Sequence, residues 1–90
     1  MNDTIRAIEE ALATVEFIID RLRALGREED AFRLAQLQFS SAIRASWPGN
    51  LAPLTVALGA LGADDTMKLA PEDHERLDRA IATLRLVCNQ

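Results

Sequence analysis

A single cysteine, Cys88, leaves the chain unable to form an intrachain disulfide or a cysteine-based zinc cluster. That usage fits a reducing compartment, so a cytoplasmic location is expected. Tyrosine is absent, and Phe and Trp together make up 4% of the residues. Basic residues are outnumbered, with 10 Lys and Arg against 14 Asp and Glu, for a net charge of −4 and a pI near 4.8. A phosphate backbone needs a basic face, so no nucleic-acid partner is expected. An anionic membrane surface is disfavoured for the same reason. No apolar run is long enough to span a bilayer. The longest charge-free stretch, Ala45 to Ala63, is broken by Pro48, Gly49, Asn50 and Pro53. The opening Met-Asn-Asp-Thr-Ile-Arg has no basic segment followed by an apolar run, so no signal peptide is expected.

What is present is helix-forming. Ala and Leu dominate a composition that is 49% hydrophobic and 27% charged, which is globular rather than disordered. A chain of 90 residues fits one domain, 1–90, that buries about 60–65% of its unfolded surface. So thin a core would gain from a partner subunit.

Four helices are predicted. The first runs over 3–25, with Ile5, Ile8, Leu12, Val15, Ile19 and Leu22 three and four residues apart. Ala11, Ile18 and Leu25 widen that stripe to a bundle-type face. Asp3 or Asn2 is placed to cap it and Gly26 to stop it. The second runs over 28–46 and opens on Glu28, Glu29 and Asp30, suited to the positive end of the helix dipole. Its inward stripe is read as Phe32, Ala35, Phe39, Ala42 and Ile43, with Leu34 and Leu37 well off it. No charge lies between Arg33 and Arg44. Trp47-Pro48-Gly49-Asn50 reads as a type II turn. The third helix, over 51–61, carries Leu51, Leu54, Leu58 and Leu61, with Asn50 as its cap, Pro53 in its first turn and Gly62 as its stop. The fourth, over 71–88, directs His74, Leu77, Ile81, Leu84 and Cys88 inward. Glu72 with Arg76 and Glu75 with Arg79 are placed for i,i+4 pairing. The expected fold is all-α, a compact irregular antiparallel bundle of about four helices. The stretch 59–69 resembles a Gly-rich turn of small bacterial helical proteins, and the resemblance implies no activity.

No catalytic residue, cofactor-binding residue or metal ligand is assigned, and no cofactor is expected. His74, the sole histidine, is flanked by Asp73 and Glu75, which would repel a phosphoryl group. Asp64, Asp65, Asp73 and His74 offer oxygen and imidazole ligands near one loop, but Asp64-Asp65-Thr66 lacks the alternation and glycine of a calcium loop. Glu9, Glu16 and Asp20 lie on the polar side of the first helix, without the Glu-x-x-His motifs of a di-metal bundle. Cys88 lies fourteen residues beyond His74, about 21 Å along one helix, so the two cannot act together.

The apolar excess is the most informative feature. Leu34, Leu37, Phe39, Trp47 and Phe17 are assigned to an interaction surface, because large apolar groups beyond the core stripes mark contact patches. The expected function is a non-enzymatic helical interaction module that self-associates, a dimer being favoured, or that binds another protein. Two alternatives stand beside it. One is a small metal- or His-dependent enzyme using His74 with Asp64, Asp65 or Asp73. The other is an acidic inhibitor or immunity-like protein that blocks a basic partner.

Overall fold

A computed structural model of the chain describes residues 2–89. Four α-helices follow one another: α1 (Asn2–Ala24), α2 (Glu28–Ser41), α3 (Ala52–Gly62) and α4 (Pro71–Cys88). Two single 3-10 turns, Arg44–Ser46 and Gly49–Leu51, carry the chain from α2 to α3. Helix α1 packs on α2 and α4, and α3 closes the ring by packing on α2 and α4. The result is the all-α bundle expected. The longest dimension is 36 Å, which the 23 residues of α1 nearly span alone at 1.5 Å of rise per residue.

The α1 stripe is inward as read. Ile8, Ala11, Val15, Ile18, Ile19 and Leu22 are buried, and only its ends, Ile5 and Leu25, emerge. Because α1 begins at Asn2, Asp3 stands in its first turn rather than at its cap; the Asn2 side chain lies outside the described residues. The stop at Gly26 is a Schellman motif. Gly26 takes φ 80°, the Arg27 N–H donates to Leu22 O at 2.8 Å, and the Gly26 N–H donates to Arg23 O at 3.1 Å. Leu51, in the 3-10 turn before α3, and Leu54, Leu58 and Leu61 within it are all buried. Gly62 lets α4 approach, since a Cβ there would sit 3.0 Å from Ile81 Cδ1. Met67, from the loop before α4, plugs one end of the core.

Three readings are corrected. First, α2 ends at Ser41 rather than at residue 46. The Asn50 amide donates to both Ser40 O and Ile43 O at 3.1 Å, and the Trp47 Nε1–H donates to Ser41 O at 2.5 Å. These side chains satisfy the last carbonyls of α2 and turn the chain away. Asn50 therefore serves the end of α2, and α3 starts with no side-chain cap. Second, Pro48-Gly49 is not a type II turn. Trp47–Pro48 is a cis peptide and Gly49 has no positive φ; Pro48, at φ −90° and ψ −1°, leads straight into the second 3-10 turn.

Third, the inner face of α2 is not the expected one, although Ala35 of the expected stripe does pack against the core. Ala31, Leu34 and Ser41 are buried, whereas Phe32, Phe39 and Ile43 are exposed. Small side chains on the inner face let α1 and α3 come close. Ser41 is accommodated because its hydroxyl donates to Leu37 O at 2.7 Å. Gln38 reaches across to α1 and donates to Leu12 O at 3.1 Å.

Helix α4 is rotated slightly from its expected setting. Its buried line is Asp73, Leu77, Ala80, Ile81, Leu84 and Val87, while His74 and Cys88 sit half-buried at the edge.

Candidate functional site

The outer face of α2 follows from its helical spacing. Phe32, Gln36 and Phe39 are four and three residues apart and share one side. Ile43 comes four residues later, just past the helix end. All four are exposed. Phe39 is 84% exposed, the most exposed large apolar residue among those described, and Phe32 is 63% exposed. Arg33 and Ser40 flank the row. The acids of α2 are confined to its first turn.

The five residues assigned to an interaction surface are not brought together. Leu34 is 2% exposed and belongs to the chain's own core, so it is corrected from contact residue to core residue. Leu37 is half-buried against that core. Trp47 is also half-buried, its indole N–H spent on Ser41 O. Phe17 is roofed by two guanidiniums, with Arg76 4.0 Å and Arg21 4.8 Å from its ring centre. Arginine on an aromatic face is a favourable cation–π contact, and it draws Arg76 to Phe17. No ion pair joins Glu72 to Arg76 or Glu75 to Arg79 among the described residues. Phe39 alone of the five stands free in solvent. Phe32 and Ile43, its exposed apolar neighbours, stand on the stripe that spacing alone predicts as inward. Their signal was present in the sequence as apolar residues on both sides of one helix.

The ionisable groups near the α3–α4 loop are held by separate arginines. Arg27 donates through Nε to Asp30 at 2.8 Å and through a terminal nitrogen to Asp64 at 2.7 Å. It thereby ties the α1–α2 connection to the α3–α4 connection. Asp64 also accepts from the Thr66 hydroxyl at 2.5 Å and the Thr66 N–H at 2.8 Å. Those two bonds first, and Arg27 after them, hold the Asp64 carboxyl down at about 2, from an ordinary 3.8. Reciprocally, Asp64 and Asp30 raise the pKa of Arg27.

Asp73 is paired separately, with Arg21 Nε at 3.2 Å. His74 Nδ1 lies 3.2 Å from Asp78 Oδ2. Each carboxylate of the set Asp64, Asp73 thus has its own cation. No group of three or more His, Cys, Asp or Glu side chains is gathered for a metal among the described residues. The Cys88 sulfur lies 3.7 Å from the Thr55 hydroxyl, at the α3–α4 contact.

A shallow apolar groove of about 500 Å3 lies between the start of α1 and the α2–α3 connection. Ile5, Ile8, Trp47, Pro48 and Val87 line it, with Arg44 at its rim. Arg44 is already paired with Glu9 and lies 5.8 Å from the Trp47 ring centre.

None of the helices is long and apolar enough to cross a membrane among the described residues. Comparison of the chain with protein-family models, with curated proteins and with solved structures finds no match.

Proposed function

We propose that the chain is a helical interaction module that docks a protein on the outer face of α2, and that it does so in the cytoplasm. The observation that carries this reading is the distribution of aromatic residues. The buried apolar residues are aliphatic, while two of the three phenylalanines, Phe32 and Phe39, are 63% and 84% exposed. Phenylalanine ordinarily ranks among the most buried residue types. Two of them on one face, seven residues apart, give an apolar row that a partner can cover. Aromatic side chains anchor interfaces because they carry large contact area with few rotatable bonds. The absence of charge between Arg33 and Arg44 lowers the desolvation cost of covering the face.

Neither alternative function gains a specific observation of this kind. Of the carboxylates that an enzyme would use with His74, Asp64 and Asp73 are each paired with an arginine, and Asp65 is exposed.

The test is affinity capture with three baits: the native chain, Phe39→Glu and Val56→Glu. Val56 is 74% exposed on α3 and serves as the control for a charge placed on any exposed apolar residue. The expected result is a stoichiometric protein retained by the native chain and by Val56→Glu but lost by Phe39→Glu. Equal retention by all three would show that α2 is not the docking face.

A further inference from the structure

We infer that the protein covering α2 is a second copy of this chain, packed antiparallel about a twofold axis near Ala35 and Gln36. The inference rests on the reading of α2 as a docking face and names its occupant.

Three features of the face carry it. The first is self-complementarity. A twofold interface places one patch against itself, so residue i meets j and j meets i. In antiparallel helices centred between residues 35 and 36, Phe32 meets Phe39 of the other copy twice over. Gln36, beside the axis, is exposed and flexible enough to let the helices approach, while Ala35 turns inward against the core of its own chain. Ring pairs in offset or edge-to-face packing add to what their area alone contributes.

The second is charge. Glu28, Glu29 and Asp30 all lie in the first turn of α2, and Arg44 follows its end. Parallel packing would set Glu28 and Glu29 against their own copies, Asp30 being already paired with Arg27. Antiparallel packing instead brings Glu28 and Glu29 of each copy toward the other's Arg44, which pairs with Glu9 of its own chain but is 65% exposed and so open to a second carboxylate. It also opposes the two helix dipoles. The middle of the face is neutral, so the net charge of −4 per copy is kept away from the contact.

The third is area. Phe32, Phe39 and Ile43 are 63%, 84% and 59% exposed. At about 200 Å2 for a whole large side chain, they present on the order of 400 Å2 of apolar surface. A stable interface takes about 800 Å2 from each partner, with an apolar centre and a polar rim. The three side chains supply that centre, and Gln36, Ser40 and Arg33 supply the rim.

Sedimentation equilibrium of the intact chain tests the pairing. The native chain and Val56→Glu should be reversible dimers. Phe39→Glu should keep its helical circular dichroism, because the position is exposed, and should raise the dimer dissociation constant at least about thirtyfold. A native chain that stays monomeric through the millimolar range overturns the pairing. So does a dimer that Phe39→Glu leaves unchanged, or one that Val56→Glu weakens equally.

Orientation is read from nitroxide distances between copies, in a Cys88→Ser background. Antiparallel packing expects about 20 Å for labels at Glu29 and about 15 Å at Ser40, from helical rise and a normal interaxial distance. Equal separations near 10 Å at both positions overturn it in favour of a parallel dimer. The two readings fail separately. A monomer whose captured protein is still lost on Phe39→Glu removes the self-pairing and keeps the docking face. A dimer indifferent to Phe39→Glu removes the self-pairing, and the docking face falls with it only if all three baits also retain the captured protein equally.

Discussion

Gly26 and Arg27, two adjacent residues, settle how α1 ends and what the next turn is tied to. Gly26 takes φ 80° with open space where a Cβ would lie. The cost of any other residue there is therefore backbone strain and not a clash. Gly26→Ala should destabilise the fold by about 1 kcal/mol, measurable by urea denaturation. A change within experimental error would mean that the turn relaxes into another conformation.

Arg27 is drawn to Asp64, whose folded carboxyl titrates near 2 rather than 3.8. A depressed folded pKa stabilises above the unfolded value, and that stability is lost as pH falls from about 4 toward 2. Asp64→Asn should therefore be less stable than the native chain at neutral pH, and the two should converge near pH 2. Urea midpoints measured across that window check it; a gap that persists at pH 2 would place the loss in something other than ionisation.

At the scale of the element, α2 shows what hydropathy can and cannot decide. The stripe of α1 was legible because that helix has one apolar side, and that of α3 because its leucines recur three and four residues apart, although Val56 on its other side is apolar and exposed. Helix α2 is apolar on two sides, so spacing alone offers two stripes and no means to choose. The larger residues, Phe32 and Phe39, point to the wrong one. The choice is made by close packing: Ala31, Leu34 and Ser41 fit against α1 and α3, and phenyl rings in those places would hold the helices apart. Leu34→Ala should cost about 2–4 kcal/mol, while Phe39→Ala should stay within about 0.5 kcal/mol for the monomer. The reverse ranking in thermal or urea unfolding would restore the original face.

The end of α2 was illegible for a related reason. Nothing in residues 42–46 forbids helix; the stop comes from Asn50 and Trp47, which reach back to its last carbonyls. Asn50→Asp replaces a donor by an acceptor facing two carbonyl oxygens. It should destabilise more than Asn50→Ala, which only removes bonds worth about 1–2 kcal/mol together. Equal loss from the two variants would mean that the amide does not hold this junction. In α4 the offset of the buried line toward Asp73 has the same kind of cause, a partner from another helix, Arg21. A single-helix pattern contains no trace of it.

For the whole molecule, size and surface are the governing quantities. A radius of gyration of 12.3 Å is about that of a fully compact chain of this length. Compactness has been reached with an aliphatic interior, leaving Phe32 and Phe39 outside. The excess of apolar surface over what one thin core needs was evident from composition and patterning. Its location was not, because Leu34, Leu37, Phe17 and Trp47 are covered by the chain's own helices and arginines. Only Phe39 of the five residues assigned to contact is fully open. The open apolar surface is therefore concentrated on the α2 face, and what lies over it is the question to test.

Nuclear Overhauser contacts in a mixture of isotope-labelled and unlabelled chains test that most directly. Within one chain Phe32 and Phe39 are about 10 Å apart by helical rise, too far for a ring-to-ring contact. A twofold pair on α2 gives a contact between Phe32 of labelled chains and Phe39 of unlabelled chains, weakening on dilution. Ring signals unchanged by dilution, with no contact between copies, would contradict it.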